Sequence, residues 1–454
     1  MSSLIVVILA AGKGTRMKSE LPKVAHPVAD KPMLSYTIDL AKGLTPEKIA
    51  VVVSADSEIP KLFNDPALTF CVQKEQSGTA DAVLAAKPLL DGYKGNVLIL
   101  CGDMPNIQAD TVSKFISAAK LEKASFITVK STNPKGYGRV VRGIDHSVYQ
   151  VVEEKDANEH EKKITEINTG VYYMAAELLL ERLAKVGNSN AQNEYYLTDI
   201  LKDGSFGWLA EKEAEFLGVN DRVQLAQLSR IIWKSRATKW MEQGVSIINP
   251  DDVYLSPDVT IAQDVTIYPN VYLQGKTTIN KGCTLYSGVR IVDSAVDEGC
   301  VIKENTLIEE SHVGAKCNVG PMAHLRPHST LVGENSIGNF VEIKNATVGK
   351  GSKANHLTYL GDATIGVNTN VGCGTITCNY DGFKKHHTTI GDNVFVGSDV
   401  QFVAPITVGD GAIVAAGTTV TADIPNNALA IARTPQKNLD DKAGSIRLQK
   451  GGKR

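Results

Sequence analysis

The second half of this chain repeats itself every six residues. Leu255, Ile261, Ile267, Leu273, Ile279, Leu285 and Ile291 form one train, Val253, Val259, Val265 and Val271 run beside it, and Ile390, Val396, Phe402, Val408, Val414 and Val420 take it up again. Aliphatic–glycine pairs mark many repeats, among them Val313-Gly314, Ile337-Gly338, Val371-Gly372 and Val408-Gly409. Six is the period of neither a helix nor a hairpin. It is the hexapeptide period of a parallel β-helix, in which each repeat gives one short strand and one turn. Stacked coils then bury the aliphatic column as a continuous core. The train breaks at Cys378-Asn379-Tyr380-Asp381-Gly382-Phe383-Lys384-Lys385-His386-His387, an insertion expected to loop out on one face. Its adjacent histidines stand among basic residues and glycine, a setting that favours solvent over metal.

The first half reads differently. Leu4–Leu9, Ile49–Val53, Val97–Cys101 and Ser125–Val129 are short apolar strands, and Lys31–Lys42 and Ala80–Leu90 read as helices. This alternation predicts a Rossmann-like α/β domain with a largely parallel sheet and its site at the carboxyl ends of the strands. The first strand runs into Leu9-Ala10-Ala11-Gly12-Lys13-Gly14-Thr15-Arg16-Met17, with Leu21-Pro22-Lys23 behind it. Small residues there let backbone approach a ligand, and Arg16 and Lys23 offer charge to phosphoryl oxygens. A Walker loop is excluded, because Val7 and Gly14 stand where its first glycine and its Ser/Thr belong. The dinucleotide fingerprint fails at Met17. Spacing alone leaves phosphate binding and an ordinary glycine-rich turn equally open. Val97–Cys101 leads into Gly102-Asp103, a carboxylate at the sheet edge that suits Mg²⁺, or a capping Asp ahead of Pro105.

Between the halves, residues 221–243 predict one amphipathic linking helix ended by Gly244, its tryptophans packing rather than holding a cofactor. The expected division is 1–220, a linker 221–244, a β-helix 245–436 and a polar basic tail 437–454, partly without order. At 454 residues the chain exceeds one hydrophobic core. A net charge of −2 argues against nucleic acid, and no apolar run is long enough for a bilayer. Seven scattered cysteines without a CxxC pair fit free thiols in a reducing compartment rather than zinc. No basic residues precede the first apolar run as in a secretory signal, and a cytoplasmic chain is expected.

With these motifs in order along nearly the whole chain, from about Ile5 to Gln436, the sequence resembles two families joined together. The first half is similar to sugar-nucleotide pyrophosphorylases and the second to hexapeptide acyltransferases. The pairing is that of the bifunctional bacterial N-acetylglucosamine-1-phosphate uridylyltransferase and glucosamine-1-phosphate N-acetyltransferase family. The resemblance implies a left-handed β-helix, a homotrimer, and UDP-N-acetylglucosamine made for cell-wall synthesis. In its first half it implies UTP on Leu9, Ala10, Ala11 and Gly12, with Arg16 and Lys23 on the phosphates. Gln73, Gly78 and Thr79 would read uracil, Gly138, Glu153, Asn168, Tyr196 and Thr198 would line the sugar pocket, and Asp103 and Asn220 would hold Mg²⁺. In the second half it implies His356 as general base for acetylating the amine of glucosamine 1-phosphate. Arg326, Lys344, Tyr359 and Asn370 would contact the amino-sugar phosphate. Cys373, Asn379, Tyr380, Ser398, Ala416 and Arg433 would lie along acetyl-CoA, with Asn379 also near the amino sugar. Read without the resemblance, a lone histidine such as His356 is more often a turn residue.

Two departures stand out: Cys101 replaces the aromatic usual two residues before the metal-binding Asp, and Cys373 replaces an alanine. The competing readings are a single-activity sugar-1-phosphate nucleotidyltransferase with a structural β-helix, an acyltransferase with a decayed front domain, and a non-catalytic scaffold. The group Lys344, His356, Tyr359 and Asn379 argues against the first, and Arg16, Lys23, Asp103 and Asn220 against the second.

Overall fold

The computed structural model describes residues 3–202 and 204–450 and divides the chain into two compact units, Met1–Ile232 and Trp233–Arg454. The first unit is built on one nine-stranded sheet. Its strands are β1 (Leu4–Leu9), β2 (Lys48–Ser54), β3 (Leu68–Gln73), β4 (Asn96–Cys101), β5 (Ser125–Lys130), β6 (Arg139–Arg142), β7 (Val148–Val152), β8 (Glu166–Ala175) and β9 (Phe206–Ala210). The main path runs β9-β5-β8-β4-β1-β2-β3, with the β6–β7 hairpin attached through β8. Strands β1 to β4 are mutually parallel where they pair, and β8 lies antiparallel to both β4 and β5.

The central strands LIVVIL and NVLILC are apolar throughout because both faces of the sheet are covered. Val7, Ile99 and Met174 belong to one core and Val6, Leu98 and Tyr173 to the other. Parallel pairing places Leu9 opposite both Val52 and Cys101, and Ser54 opposite Gln73. The chain therefore leaves several neighbouring strands at the same edge. A register shift between Asn168 and Tyr172 breaks the β8–β5 ladder there, an irregularity of the sort that re-aims side chains beside active sites.

Two helices differ from expectation. Residues 80–90 are not one helix: Thr79–Leu84 and Lys87–Leu90 are separate, since Pro88 has no amide to continue the hydrogen-bond ladder. The helix expected from Lys31 starts at Met33, after Lys31 and Pro32 pair with Pro27 and Val28. The linking helix spans Arg222–Glu242, and Gly244 past its end has φ +91°. Its first turns carry buried Leu228 and Ile232, and Ser229 accepts from the Ala29 amide within the first unit.

The second unit is the left-handed parallel β-helix. Most strands pair with the third one after them, so three sides make a coil, while the long strands Ser336–Val348 and Lys353–Ile365 pair directly with each other. Leu255 lies on Leu273, three hexapeptides later, and Leu273 on Ile291. Above that point the visible period fails: Ile291 lies on Ile308 and Ile308 on Leu325, coils one residue shorter. The column continues unbroken in space through Ile343, Leu360, Thr377, Phe402 and Val420. Trp233 packs edge-on to Tyr254 at 4.9 Å, and Tyr254 stacks on Tyr272 at 4.2 Å, so this tryptophan packs as expected. The tail, expected to be partly without order, carries one exposed helix, Lys442–Gln449; Gly451–Arg454 lie outside the described residues.

Thr377 is the polar member of that interior column, fully buried, its hydroxyl donating to the Gly361 carbonyl at 2.9 Å and accepting from the Gly361 amide at 2.8 Å. Thr377→Val leaves both backbone groups without that partner. It should lower the stability of the β-helix by about 1–3 kcal/mol in urea unfolding followed by circular dichroism. An unchanged midpoint would show that the column tolerates the loss.

Candidate active sites

In the first unit the chain leaves β1 at Leu9 and turns through Ala10, Ala11 and Gly12. Gly14 is the position that must be glycine: its φ is +59°, and a Cβ there would stand 2.6 Å from the Cβ of Lys23. That close approach folds Lys23 back over the loop. Its ammonium lies 2.5 Å from Asp103 Oδ2 and 3.3 Å from Asn220 Oδ1, joining three distant segments. The Asn220 segment is tied to the same edge, because Val219 donates to the Asp103 carbonyl at 3.0 Å and Asn220 donates to Gln224 Oε1 at 2.7 Å. Among the described residues no group of three or more His, Cys, Asp or Glu side chains is arranged to hold a metal. Asp103 and Asn220 instead offer a pair of hard oxygens converging on one positive charge. That donor set fits a divalent cation such as Mg²⁺, which keeps several waters and takes one or two protein oxygens.

Beside this cluster is a cavity of about 270 Å³ lined by Leu9, Ala10, Ala11, Gly12, Lys23, Gln73, Gly78, Thr79 and Asp103. Nine residues singled out from the sequence thus share one wall. Gln76, Cys101 and Glu194 line it too. The Gln76 amide donates to the Ala11 carbonyl at 2.6 Å and so pins the loop, a role that its place in the Gln73–Ala80 segment hinted at without fixing. The Gln73 amide nitrogen is used internally, on the Gly78 carbonyl and on Asp81 at 3.1 and 2.8 Å, which leaves Oε1 as its acceptor. Thr79 accepts from the Leu197 amide, fastening this segment to the Tyr195–Thr198 stretch. Burial, with the Asp103 charge adding to it, pushes the Cys101 thiol up to about 12, so it is inert. Arg16 is not gathered in: it is exposed on the turn Thr15–Met17 and has no side-chain partner among the described residues.

A second group lies around the β6–β7 hairpin. Thr198 donates to Glu153 Oε1 at 2.9 Å, the Asn168 amide donates to the Gly138 carbonyl at 2.9 Å, and Asn168 bonds to Tyr172. Burial raises the Glu153 carboxyl above its ordinary value. Tyr196 is buried, its phenol also raised by burial and by the Asp156 carboxylate.

On the β-helix, one corner carries the acetyl-transfer candidates. Leu357, Gly374, Asp399 and Gly417 hold its left-handed position in successive coils. Gly374 donates to the Leu357 carbonyl, Asp399 to that of Cys373, and Gly417 to that of Ser398. His356, Cys373, Ser398 and Ala416, each one residue earlier, therefore form a single exposed file. Its members are spaced at the ~4.8 Å of adjacent strands. Arg433 closes the file by donating to the Ala416 carbonyl at 2.5 Å.

The neighbouring side collects a cationic group. Arg326 pairs with Glu342 at 2.8 Å, and Asn379 donates to Tyr359 Oη at 3.4 Å and to Asp362 at 2.5 Å. Lys344 is held below the usual lysine range by Lys385 first and by Arg326 as well. Lys385 and Asp362 were absent from the expected set; nothing in the sequence shows that the insertion bends back toward Lys344. Asn379 falls with Tyr359 and Asp362, apart from the His356 file, whereas Asn370 pairs with Lys353 and Phe395 on another side. The insertion is a self-capped turn in which Asp381 accepts from the Phe383 and Lys384 amides. Its histidines, expected in solvent, are exposed at His387 and partly exposed at His386, with His387 bonded to Thr364 and His386 to Asp381. Tyr380, also in the insertion, is exposed and donates to the Gly382 carbonyl.

Residues 6–176 match the MobA-like NTP transferase domain, 249–336 the GMPPB C-terminal domain, and 387–422 the bacterial transferase hexapeptide (six repeats). The chain is 46% identical to the bifunctional protein GlmU of Pelobacter propionicus, over 99% of this chain and 100% of that one. It is 47% identical to that of Geobacter sulfurreducens over 97% and 98%, and 44% identical to that of Shouchella clausii over 97% and 99%. The chain belongs to the bifunctional GlmU family. The two kinds of transferase domain matched, nucleotidyl and hexapeptide, fall one on each unit, as the GlmU description "bifunctional" requires.

Glu153 supplies a pH test. Its folded-state pKa is raised, so its proton is held more tightly in the folded chain, and its contribution to stability is fully present below about the ordinary 4.5 and lost as pH rises through the shifted value. Glu153→Gln should therefore raise the melting temperature of the first unit at neutral pH, and the gain should shrink as pH falls toward 4.5. A gain independent of pH would mean that carboxylate desolvation is not the cause.

Proposed function

We propose that this chain makes UDP-N-acetylglucosamine in two steps, acetylating glucosamine 1-phosphate on the β-helix and then transferring uridylyl from UTP to the product in the first unit. The observation that carries the reading is the presence on one chain of both constellations, Lys23–Asp103–Asn220 beside a lined cavity and the His356 file beside a triple-cation group.

In the first step His356 takes a proton from the amine, whose nitrogen attacks the acetyl carbonyl; the carbon–sulfur bond of the thioester breaks and CoA leaves as its thiol. Cys373, Ser398 and Ala416 carry a thioester cofactor along one straight file, ending at Arg433. Arg326, Lys344 and Lys385 receive the phosphate. In the second step the sugar phosphate oxygen attacks the α-phosphorus of UTP and pyrophosphate leaves. Gln73 Oε1 is placed to accept from the N–H of uracil, and Lys23 and Arg16 neutralise phosphoryl oxygens. Mg²⁺ on Asp103 and Asn220 would supply further positive charge to the developing phosphates. Gly138, Glu153, Asn168, Tyr196 and Thr198 hold the N-acetylated sugar. Rate enhancement here is positioning and electrostatics rather than covalent catalysis.

The same reading includes a homotrimer through the β-helix. Exposed Met322, Phe340 and Leu357 form an apolar file at the His356 corner, and exposed Phe395, Ile413 and Leu429 stack on a neighbouring side. Solitary chains rarely leave such files in water. Among the described residues no helix is long and apolar enough to cross a membrane, and the co-substrates place the reactions in the cytoplasm.

With glucosamine 1-phosphate, acetyl-CoA, UTP and Mg²⁺ supplied together, free CoA thiol should appear first and pyrophosphate should follow. His356→Ala should cut acetyl transfer by about 10²–10⁴-fold and leave uridylyl transfer to preformed N-acetylglucosamine 1-phosphate unchanged. A fragment ending after Ile232 should keep uridylyl transfer alone. Pyrophosphate without any thiol would favour the single-activity reading.

A further inference from the structure

Among the described residues, the largest side chain buried outright is a cation. Arg139, at the start of β6, is 1% exposed. Its Nη2 lies 2.6 Å from Glu154 Oε2, its Nη1 donates to the Tyr137 carbonyl, and its Nε is buried without a partner. Desolvating a guanidinium so thoroughly is a poor route to stability, since apolar residues of similar volume commonly do as well. It is a good route to one fixed geometry, because a planar fork bonded at two points tolerates little movement.

The geometry it fixes is that of a turn. Glu154 Oε2 also accepts from the Gly136 amide at 3.0 Å, so one carboxylate oxygen grips both ends of Gly136–Arg139. Within the turn Gly138 is wedged: a Cβ there would stand 2.8 Å from Val151 Cγ1 and 3.4 Å from Glu153 Oε1. The Gly138 carbonyl accepts from Asn168, and Arg139 itself is in register with Val152 on β7 and Ile167 on β8. Buried Arg139 and partly exposed Glu154 therefore adjoin three residues proposed for the sugar pocket, one on each of the turn, the hairpin end and β8.

We propose that Arg139 and Glu154 are positioning residues for the acceptor-sugar pocket, setting the spacing of Gly138, Glu153 and Asn168. The inference rests on the uridylyl-transfer reading given above. Arg139, being buried, contacts no substrate; it acts through the turn. Among the described residues neither Arg139 nor Glu154 itself bonds to a residue lining the cavity with Lys23 and Gln73, so the UTP side should change less than the sugar side.

The test is steady-state pyrophosphate release by the full chain, with UTP and N-acetylglucosamine 1-phosphate varied in turn. Arg139→Met should raise KM for the sugar phosphate about tenfold or more while KM for UTP stays within about twofold. Arg139→Lys should fall between, because an ammonium cannot span both acceptors in one plane. Glu154→Ala should exceed Glu154→Gln, which keeps an oxygen for the Gly136 amide. Acetyl transfer, followed as free CoA thiol in the same preparations, should not change. Should Arg139→Met fail to fold, the Glu154 pair decides, since that side chain is partly exposed. Both KM values rising together, or neither moving in a folded variant, would overturn the assignment. An unaltered chain that releases no pyrophosphate would overturn the functional reading and this inference with it.

Discussion

The inward side chains of the β-helix stack coil upon coil, often two to a side as with Val253 and Leu255 or Val271 and Leu273, and the whole second unit follows from that stacking. Because Leu255, Leu273, Ile291, Ile308, Leu325, Ile343 and Leu360 must stand one on another, the backbone between them is held in strict register. Outward residues are then forced into files as straight as the inward ones. His356, Cys373, Ser398 and Ala416 form such a file at a corner, and on the proposed reading it is the track for the thioester cofactor, one that no individual residue had to be placed to create. A core that fixes register thus supplies preorganisation, the property from which electrostatic catalysis gains most. Thr377 is consistent with this: a polar residue persists in the apolar column where it bonds both backbone groups of Gly361, one residue before Asp362 in the cationic group's neighbourhood.

The first unit reaches the same end by another route. Parallel pairing of β1, β2, β3 and β4 sends every chain crossing out at one edge, so Leu9, Gln73 and Cys101 arrive together with no long-range design beyond register. What remains is to bring charge to that edge. Gly14 does so by permitting Lys23 to pack against the loop, and the Asp103–Val219 backbone bond does so for Asn220.

Legibility from sequence tracked periodicity. The trains Leu255–Ile291 and Ile390–Val420 declared the β-helix because eighteen-residue coils keep the six-residue beat. The stretch between them hid it, since coils such as Ile291 to Ile308 drop a residue at a corner and shift the phase. Of the nine residues sharing the cavity wall, the Leu9–Gly12 loop, Lys23 and Asp103 stand out as small or charged residues behind apolar strands, whereas Gln73, Gly78 and Thr79 are found only through the resemblance. Lys385, Asp362 and Gln76 could not be found, because their placement depends on how a loop folds back, which no local pattern encodes. The helix expected over 80–90 failed at Pro88, a signal that was present and outweighed by the apolar spacing around it.

Arg139 illustrates a different limit. In the sequence it is a charged residue beginning a short strand, and every compositional rule places it in water. Only the hairpin register, which sets Arg139 against Val152 and Ile167, shows that its side chain must lie inside. Its partner Glu154 neighbours Glu153, so two adjacent carboxylates meet opposite fates. Glu154 is held below the ordinary carboxylate range by the Gly136 amide and Arg139, and Glu153 is raised by burial. Glu154 anchors the turn by accepting from Gly136 and Arg139, and Glu153 accepts from Thr198. Both residues lie just past the end of β7 at Val152, Glu153 directly after the strand and Glu154 in the turn that follows, so their side chains part where the chain leaves the sheet. On the proposed reading, that strand end separates the residue that holds the pocket from the residue that uses it.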